Sequence, residues 1–104
     1  MARMVVIYRT CKDPEAFDKH YVQVHVPLAK RLPGLRKYEV SRRPVLASAC
    51  DPEPYLVGTL HFDDLAAIRP AVGTPEGKAC AADRRVLAPE EGDVQMYLFD
   101  AAEI

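Results

Sequence analysis

Four short apolar runs mark out this chain, and the segments between them carry the spacing of helices and turns. The first, Met4 to Tyr8, is a block of Met, Val, Ile and Tyr closed by Arg9-Thr10, which predicts a buried strand. From Asp13 the period changes. At about 100° per residue Phe17, Tyr21, Val24 and Leu28 fall on one narrow stripe, the face a helix must bury. Asp13 is placed to accept from the first-turn amides, Pro14 stands where its missing N–H costs nothing, and Glu15 meets the positive end of the helix dipole. Pro27 has no donor for the carbonyl of Gln23 and disfavours helical dihedrals at Val26. A kink or break is therefore expected beside His25, with Pro33-Gly34 ending the element.

Leu35 to Arg43 alternates, Tyr38 and Val40 against Lys37, Glu39 and Ser41, as an edge strand does. Tyr55 to Phe62, bounded by Pro54 and Asp63-Asp64, reads as a third strand in which Gly58 permits a bend or the close approach of a helix. A helix starting at Asp63 or Asp64 and carrying Leu65 and Ile68 is expected to break at Pro70 and to restart at Thr74-Pro75-Glu76, where the threonine caps. Val94 to Phe99 is the last strand. The order β-α-β-β-α-β predicts a ferredoxin-like α+β fold: one domain over residues 1–104, a four-stranded antiparallel sheet with both helices on one face.

Strands one, three and four are apolar on both sides, Val5 and Ile7 against Val6 and Tyr8 for example. A bare apolar sheet face exceeds what a lone soluble subunit exposes, and two-fold pairing with a second copy covers it. The expectation is a homodimer whose two sheets enclose a shared interior.

Composition narrows the partners. At 104 residues the chain holds one modest core, and 49% hydrophobic residues, 28% charged residues and a net charge of −1 exclude a disordered, membrane-spanning or polybasic protein. Neither nucleic acid nor membrane is expected as a partner. The basic cluster Lys30, Arg31, Arg36, Lys37, Arg42 and Arg43 is offset by 15 acids and lacks interleaved aromatics, so it reads as solvated surface. Thr74 to Lys78 lacks the glycine spacing of a phosphate loop and reads as a cap. Cys11, Cys50 and Cys80 are odd in number and form no CxxC, arguing against a disulfide framework or a zinc site and for a reducing compartment. The apolar run in MARMVVIYRT is too short for an export signal, so the expected location is cytoplasmic.

Five polar-tipped residues are candidates for chemistry. His25 titrates near neutrality and suits a general acid or base, its structural alternative being a cap on carbonyls freed by Pro27. Tyr38 offers a hydroxyl to orient a substrate oxygen, or packs. Tyr8 shares a face with Val6, and both are read as lining the interior between the two sheets. His61, with Thr59 on its face, is a weaker candidate for the same interior, and His20 is weaker still. By the 100° rule His20 and His25 lie about 140° apart, on opposite flanks of the apolar stripe, which argues against a two-histidine metal site. No metal and no cofactor are expected.

The strand MVVIYR, the stretch DPEAFDKHYVQVHVPLAKRLPGLRKYEVSR and the third strand ending in HFDDLAA resemble the EthD family of dimeric α/β-barrel proteins over nearly the whole chain. The most specific elements are H-x-P-L-A, His25 to Ala29, and P-G-L-x-x-Y, Pro33 to Tyr38. The wider superfamily includes methylmuconolactone isomerases, polyketide cyclases, cofactor-free monooxygenases, dehydratases and haem-binding enzymes. In the isomerase branch an active-site histidine and tyrosine match His25 and Tyr38. That branch also uses a histidine before strand three and a cysteine near its end. This chain has no histidine between Ala47 and Pro54, and Leu60 stands at the cysteine position when aligned on Phe62. The resemblance thus implies the cleft rather than the same lactone chemistry.

Together these observations point to a cofactor-independent enzyme for a small, largely apolar, oxygen-bearing molecule, with His25 moving a proton for isomerisation, cyclisation or elimination and Tyr38 assisting. The alternatives are a hydrophobic-ligand or haem-binding protein without chemistry of its own, and a cofactor-free monooxygenase.

Overall fold

The first strand organises the sheet. In the computed structural model, which describes residues 1–9, 11–49 and 53–104, β1 (Ala2–Tyr8) lies between β3 (Leu56–Phe62) and β4 (Val94–Asp100), and β2 (Lys37–Val40) pairs with the outer side of β3. All three pairings are antiparallel, giving the order β2-β3-β1-β4. Period-two alternation divides β1 cleanly: Ala2, Met4, Val6 and Tyr8 are buried beneath the helices, while Arg3, Val5 and Ile7 turn to the other face. The register sets Tyr8 opposite Leu56, Val6 opposite Gly58 and Met4 opposite Leu60, so the buried residues of two strands form one floor. The ferredoxin-like α+β reading of the sequence is the fold observed. Cys50 lies outside the described residues.

The covering layer begins with α1 (Pro14–His20), where the Asp13 carboxylate accepts from the amide of Ala16 at 3.1 Å. The interruption expected beside His25 is present but is not a break at Pro27. Instead a π-helical turn, Tyr21–His25, leads straight into α2 (Val26–Ala29), and Val26 keeps helical dihedrals of φ −58 and ψ −48. The wider turn lets the Val26 amide reach back five residues to the Tyr21 carbonyl, and Pro27 then falls in the first turn of α2, where no donor is required. The buried stripe changes as a result. It runs Phe17, Tyr21, His25, Ala29, Leu32, and Val24 is left 40% exposed.

Pro70 also fails to break its helix: α3 (Leu65–Val72) continues through it. The burial of Ile68 and Ala71, each 1% exposed, offsets the single donor that the proline removes. The restart expected at Thr74 is observed, with its hydroxyl accepting from the Gly77 amide at the head of α4 (Pro75–Leu87). α3 and α4 meet so closely there that a Cβ on Gly77 would lie 2.5 Å from the carbonyl oxygens of Ala71 and Val72. No helix among the described residues is long and apolar enough to cross a membrane.

Candidate active site

The π-helical turn builds the site. Five residues apart on an α-helix, two side chains diverge, but an i→i+5 turn brings them onto one side. His20 and His25 consequently meet the same carboxylate, that of Asp83 on α4. His20 Nε2 lies 2.7 Å from Oδ1 and His25 Nδ1 lies 2.8 Å from Oδ2. The expectation that the two rings stand on opposite flanks is overturned, because it assumed uniform α-helical rotation. No group of three or more His, Cys, Asp or Glu side chains among the described residues is arranged to hold a metal ion.

His25 is 6% exposed, and burial lowers its pKa below the usual imidazole value against the opposing pull of Asp83; Arg84 and His20 add to the lowering. The ring is therefore neutral near pH 7. A neutral imidazole against a carboxylate donates from the nitrogen facing it, Nδ1, which leaves Nε2 with its lone pair as the basic atom. His20, at the rim with about a third of its side chain exposed, gives the other oxygen of Asp83 its partner.

Aromatic rings frame His25. Tyr21 stacks on His25 with centroids 5.3 Å apart, and its hydroxyl makes a short hydrogen bond to that of Tyr38 on β2. Gly58 leaves room for this pair, since a Cβ there would sit 3.2 Å from the Tyr21 oxygen. Burial pushes the Tyr38 hydroxyl up to about 12, against the hydrogen bond from Tyr21. Tyr8 is 1% exposed, edge-on to Phe17 and Tyr21, and burial raises its pKa further still, so it stays protonated. Its hydroxyl and the Nε of Arg84 are buried without a hydrogen-bond partner among the described residues.

These groups line a narrow cavity with about 20 Å³ open to a water-sized molecule, floored by Met4, Val6 and Leu60 and roofed by Ala29, Leu32 and Cys80. A larger cleft of about 310 Å³ lies outside it, where Cys11, Phe17 and His20 meet the end of α4. The inner cavity holds His25, Tyr8 and Tyr38, three of the candidate residues.

The structure thus brings His25, Tyr38, Tyr8 and Val6 together, but not in the place expected. Their cavity lies within one protomer, between sheet and helices, because even-numbered residues of β1 face the helices. It is not the interior between two sheets. His61 is on the opposite face of the sheet, 2.7 Å from Glu39 and across from Arg3, so it does not share the cavity with His25. Reading the sequence missed Asp83 and Arg84. The signal for Asp83 was an acid three residues beyond Cys80, on the buried stripe that Gly77 and Cys80 begin.

A four-stranded antiparallel sheet roofed by helices, with a polar-tipped aromatic cavity beneath the roof, defines a ferredoxin-like α+β protein with an internal site. Residues 10–90 match the EthD domain, and the chain belongs to the EthD family. It is 34% identical to an uncharacterized 11.0 kDa protein in the thcB-thcC intergenic region of Rhodococcus erythropolis, over 96% of this chain and 94% of that one. A crystal structure of an EthD family protein from Bacillus halodurans superposes with a TM-score of 0.86 at 29% identity, covering 98% of this chain and 99% of the other. SnoaB, a cofactor-independent oxygenase from Streptomyces nogalater, has the same fold, with a TM-score of 0.68 at 19% identity over 99% of this chain and 94% of its own.

Proposed function

We propose that this chain is a cofactor-independent enzyme that moves a proton on a small, largely apolar, oxygen-bearing molecule. The observation that carries the reading is the buried His25–Asp83 pair. The carboxylate sets the tautomer, burial and Arg84 keep the ring neutral, and Nε2 is the base. Tyr38, protonated and held by Tyr21, assists as a hydrogen-bonding group. Isomerisation, cyclisation and elimination all begin with such a transfer. General acid–base catalysis of this kind contributes roughly 10²–10⁴-fold, so positioning within the cavity supplies the remainder. The test is a panel of lactones, enolisable carbonyl compounds and phenols incubated in heavy water, with deuterium incorporation followed by NMR. Protein-dependent exchange that His25→Gln abolishes supports the reading; exchange that survives the substitution removes His25 from it.

The same chain works as a homodimer in this reading. The sheet face turned away from the helices carries Val5, Ile7 and Val57, with Tyr97 and Phe99 on β4 51% and 43% exposed. A second copy related by two-fold symmetry covers that face. The likeness to SnoaB favours one further reading, oxygenation of an electron-rich aromatic without metal or organic cofactor. Oxygen consumption with phenolic substrates separates it from proton transfer.

A further inference from the structure

We propose that Tyr8 and Arg84 form the subsite for the substrate's acceptor oxygen, and that the molecules taken are enolisable carbonyl compounds. The inference rests on the reading of His25 as the base and adds the substrate class. Two polar atoms on the wall of one cavity, Tyr8 Oη and Arg84 Nε, are buried with no partner among the described residues. Buried donors of this kind are nearly always satisfied, so a pair sharing a cavity with a buried base marks where a ligand atom belongs. Both are donors here. Tyr8 is held protonated by burial, and a guanidinium has no acceptor to offer. The ligand must therefore present an acceptor, and the positive charge of Arg84, which acts on Tyr8, His25 and Cys80 alike, favours one that becomes negative. The remaining walls, Met4, Val6 and Leu60, are apolar and suit a hydrocarbon remainder.

The chemistry balances without a co-reactant. His25 Nε2 takes a proton from the carbon next to the carbonyl, and the C–H electron pair becomes a carbon–carbon double bond. The carbonyl π pair then moves onto oxygen as an enolate held by the Tyr8 hydroxyl and the Arg84 Nε–H. Return of the proton from His25 to the same carbon exchanges it, and in a β,γ-unsaturated substrate, whose enolate is a dienolate, its return to the γ-carbon moves the double bond and completes an isomerisation. The cavity offers about 20 Å³, so its lining side chains must give way to admit a carbonyl compound larger than a water.

The probe is pentane-2,4-dione, read two ways: enolate binding by ultraviolet difference absorbance, and methylene deuteration in heavy water by NMR. Hydrogen bonds to a charged oxygen predict that Tyr8→Phe and Arg84→Met each weaken enolate binding at least about tenfold, with Arg84→Lys restoring part of it. Thermal melts identify any variant that has lost its fold, and the conservative pair Tyr8→Phe and Arg84→Lys keeps the test available if Arg84→Met unfolds. His25→Gln is expected to retain enolate binding and lose the accelerated deuteration. Undiminished deuteration in His25→Gln removes the proton-transfer reading while leaving oxygen recognition in place. Binding in Tyr8→Phe and Arg84→Met equal to that of the unsubstituted protein means the two groups share only an ordered water and overturns the subsite. Failure of the unsubstituted protein to take the enolate overturns it as well.

Discussion

On the helix-covered face of the sheet Tyr8, Val6 and Leu60 vanish from solvent, whereas on the opposite face Tyr97 and Phe99 stay half exposed. Each face carries a histidine beside a carboxylate: His25 with Asp83 under the helices, and His61 with Glu39 on the open side. The two separations differ by only 0.1 Å, 2.8 against 2.7 Å, but the settings do not match. The Asp83 side chain is 10% exposed and the Glu39 side chain 53%. In the low-dielectric interior charge interactions are stronger and charging the ring is costly, so in the inner pair a neutral imidazole donates to the Asp83 carboxylate and keeps Nε2 as its basic nitrogen. On the open face the His61 ring is also buried, its side chain 9% exposed, but the Glu39 carboxylate meets water, and its hydrogen bond with His61 holds its pKa below the usual value. The same two residue types thus give a pair with both members buried under the helices and, on the open face, a buried ring beside a solvated carboxylate, and the helical roof is the cause of the difference.

The comparison is broken most severely by removing the inner carboxylate. Asp83→Asn no longer imposes the Nδ1–H tautomer on His25 and is expected to reduce turnover on the order of 10³-fold or more, with Glu39→Gln as the control that leaves turnover unchanged. Next in size is the open face: Val5→Glu places a charge in its middle and is expected to leave a single subunit in analytical ultracentrifugation while deuterium exchange at the inner site persists. A dimer that survives Val5→Glu places the contact elsewhere. Gly77→Ala attacks the roof, since its Cβ meets two backbone carbonyls that cannot step aside, and a loss of about 2–3 kcal/mol in chemical denaturation is expected. A smaller loss accompanies acidification. With the native pKa of His25 below the 6.5 of the unfolded chain, its contribution to stability is complete above about pH 6.5 and declines as pH falls toward the lowered native value. The His25→Gln variant is expected to lack that part of the acid limb. The smallest effect is expected from Thr74→Ala, about 1 kcal/mol from the lost cap.

Local chemistry was readable along the chain because it depends on near neighbours. The Asp13 and Thr74 caps, the proline starts, the alternation of Lys37 to Val40 and the order of all four strands follow from propensity, period and capping. The association of His25 with Tyr38 came instead from the family resemblance that the H-x-P-L-A and P-G-L-x-x-Y segments carry, and both line the inner cavity. Pro27 and Pro70 were read too strictly, since tertiary burial and a widened turn accommodate them. Where the rings point was beyond reach of the pattern. A one-residue change from α-helical to π-helical pitch moves His25 from a flank to the buried stripe, and nothing within Tyr21–His25 reports the carboxylate of Asp83, 58 residues away, that rewards it. Which face of β1 meets the helices was equally undetermined, because both faces are apolar and only packing chooses. The sequence by itself determined the elements, their order and the kinds of group available for chemistry. The tertiary structure alone decided that Asp83 meets His25, that His61 lies on the other face of the sheet, and that the cavity lies within one subunit, because each depends on contacts between residues far apart in the chain.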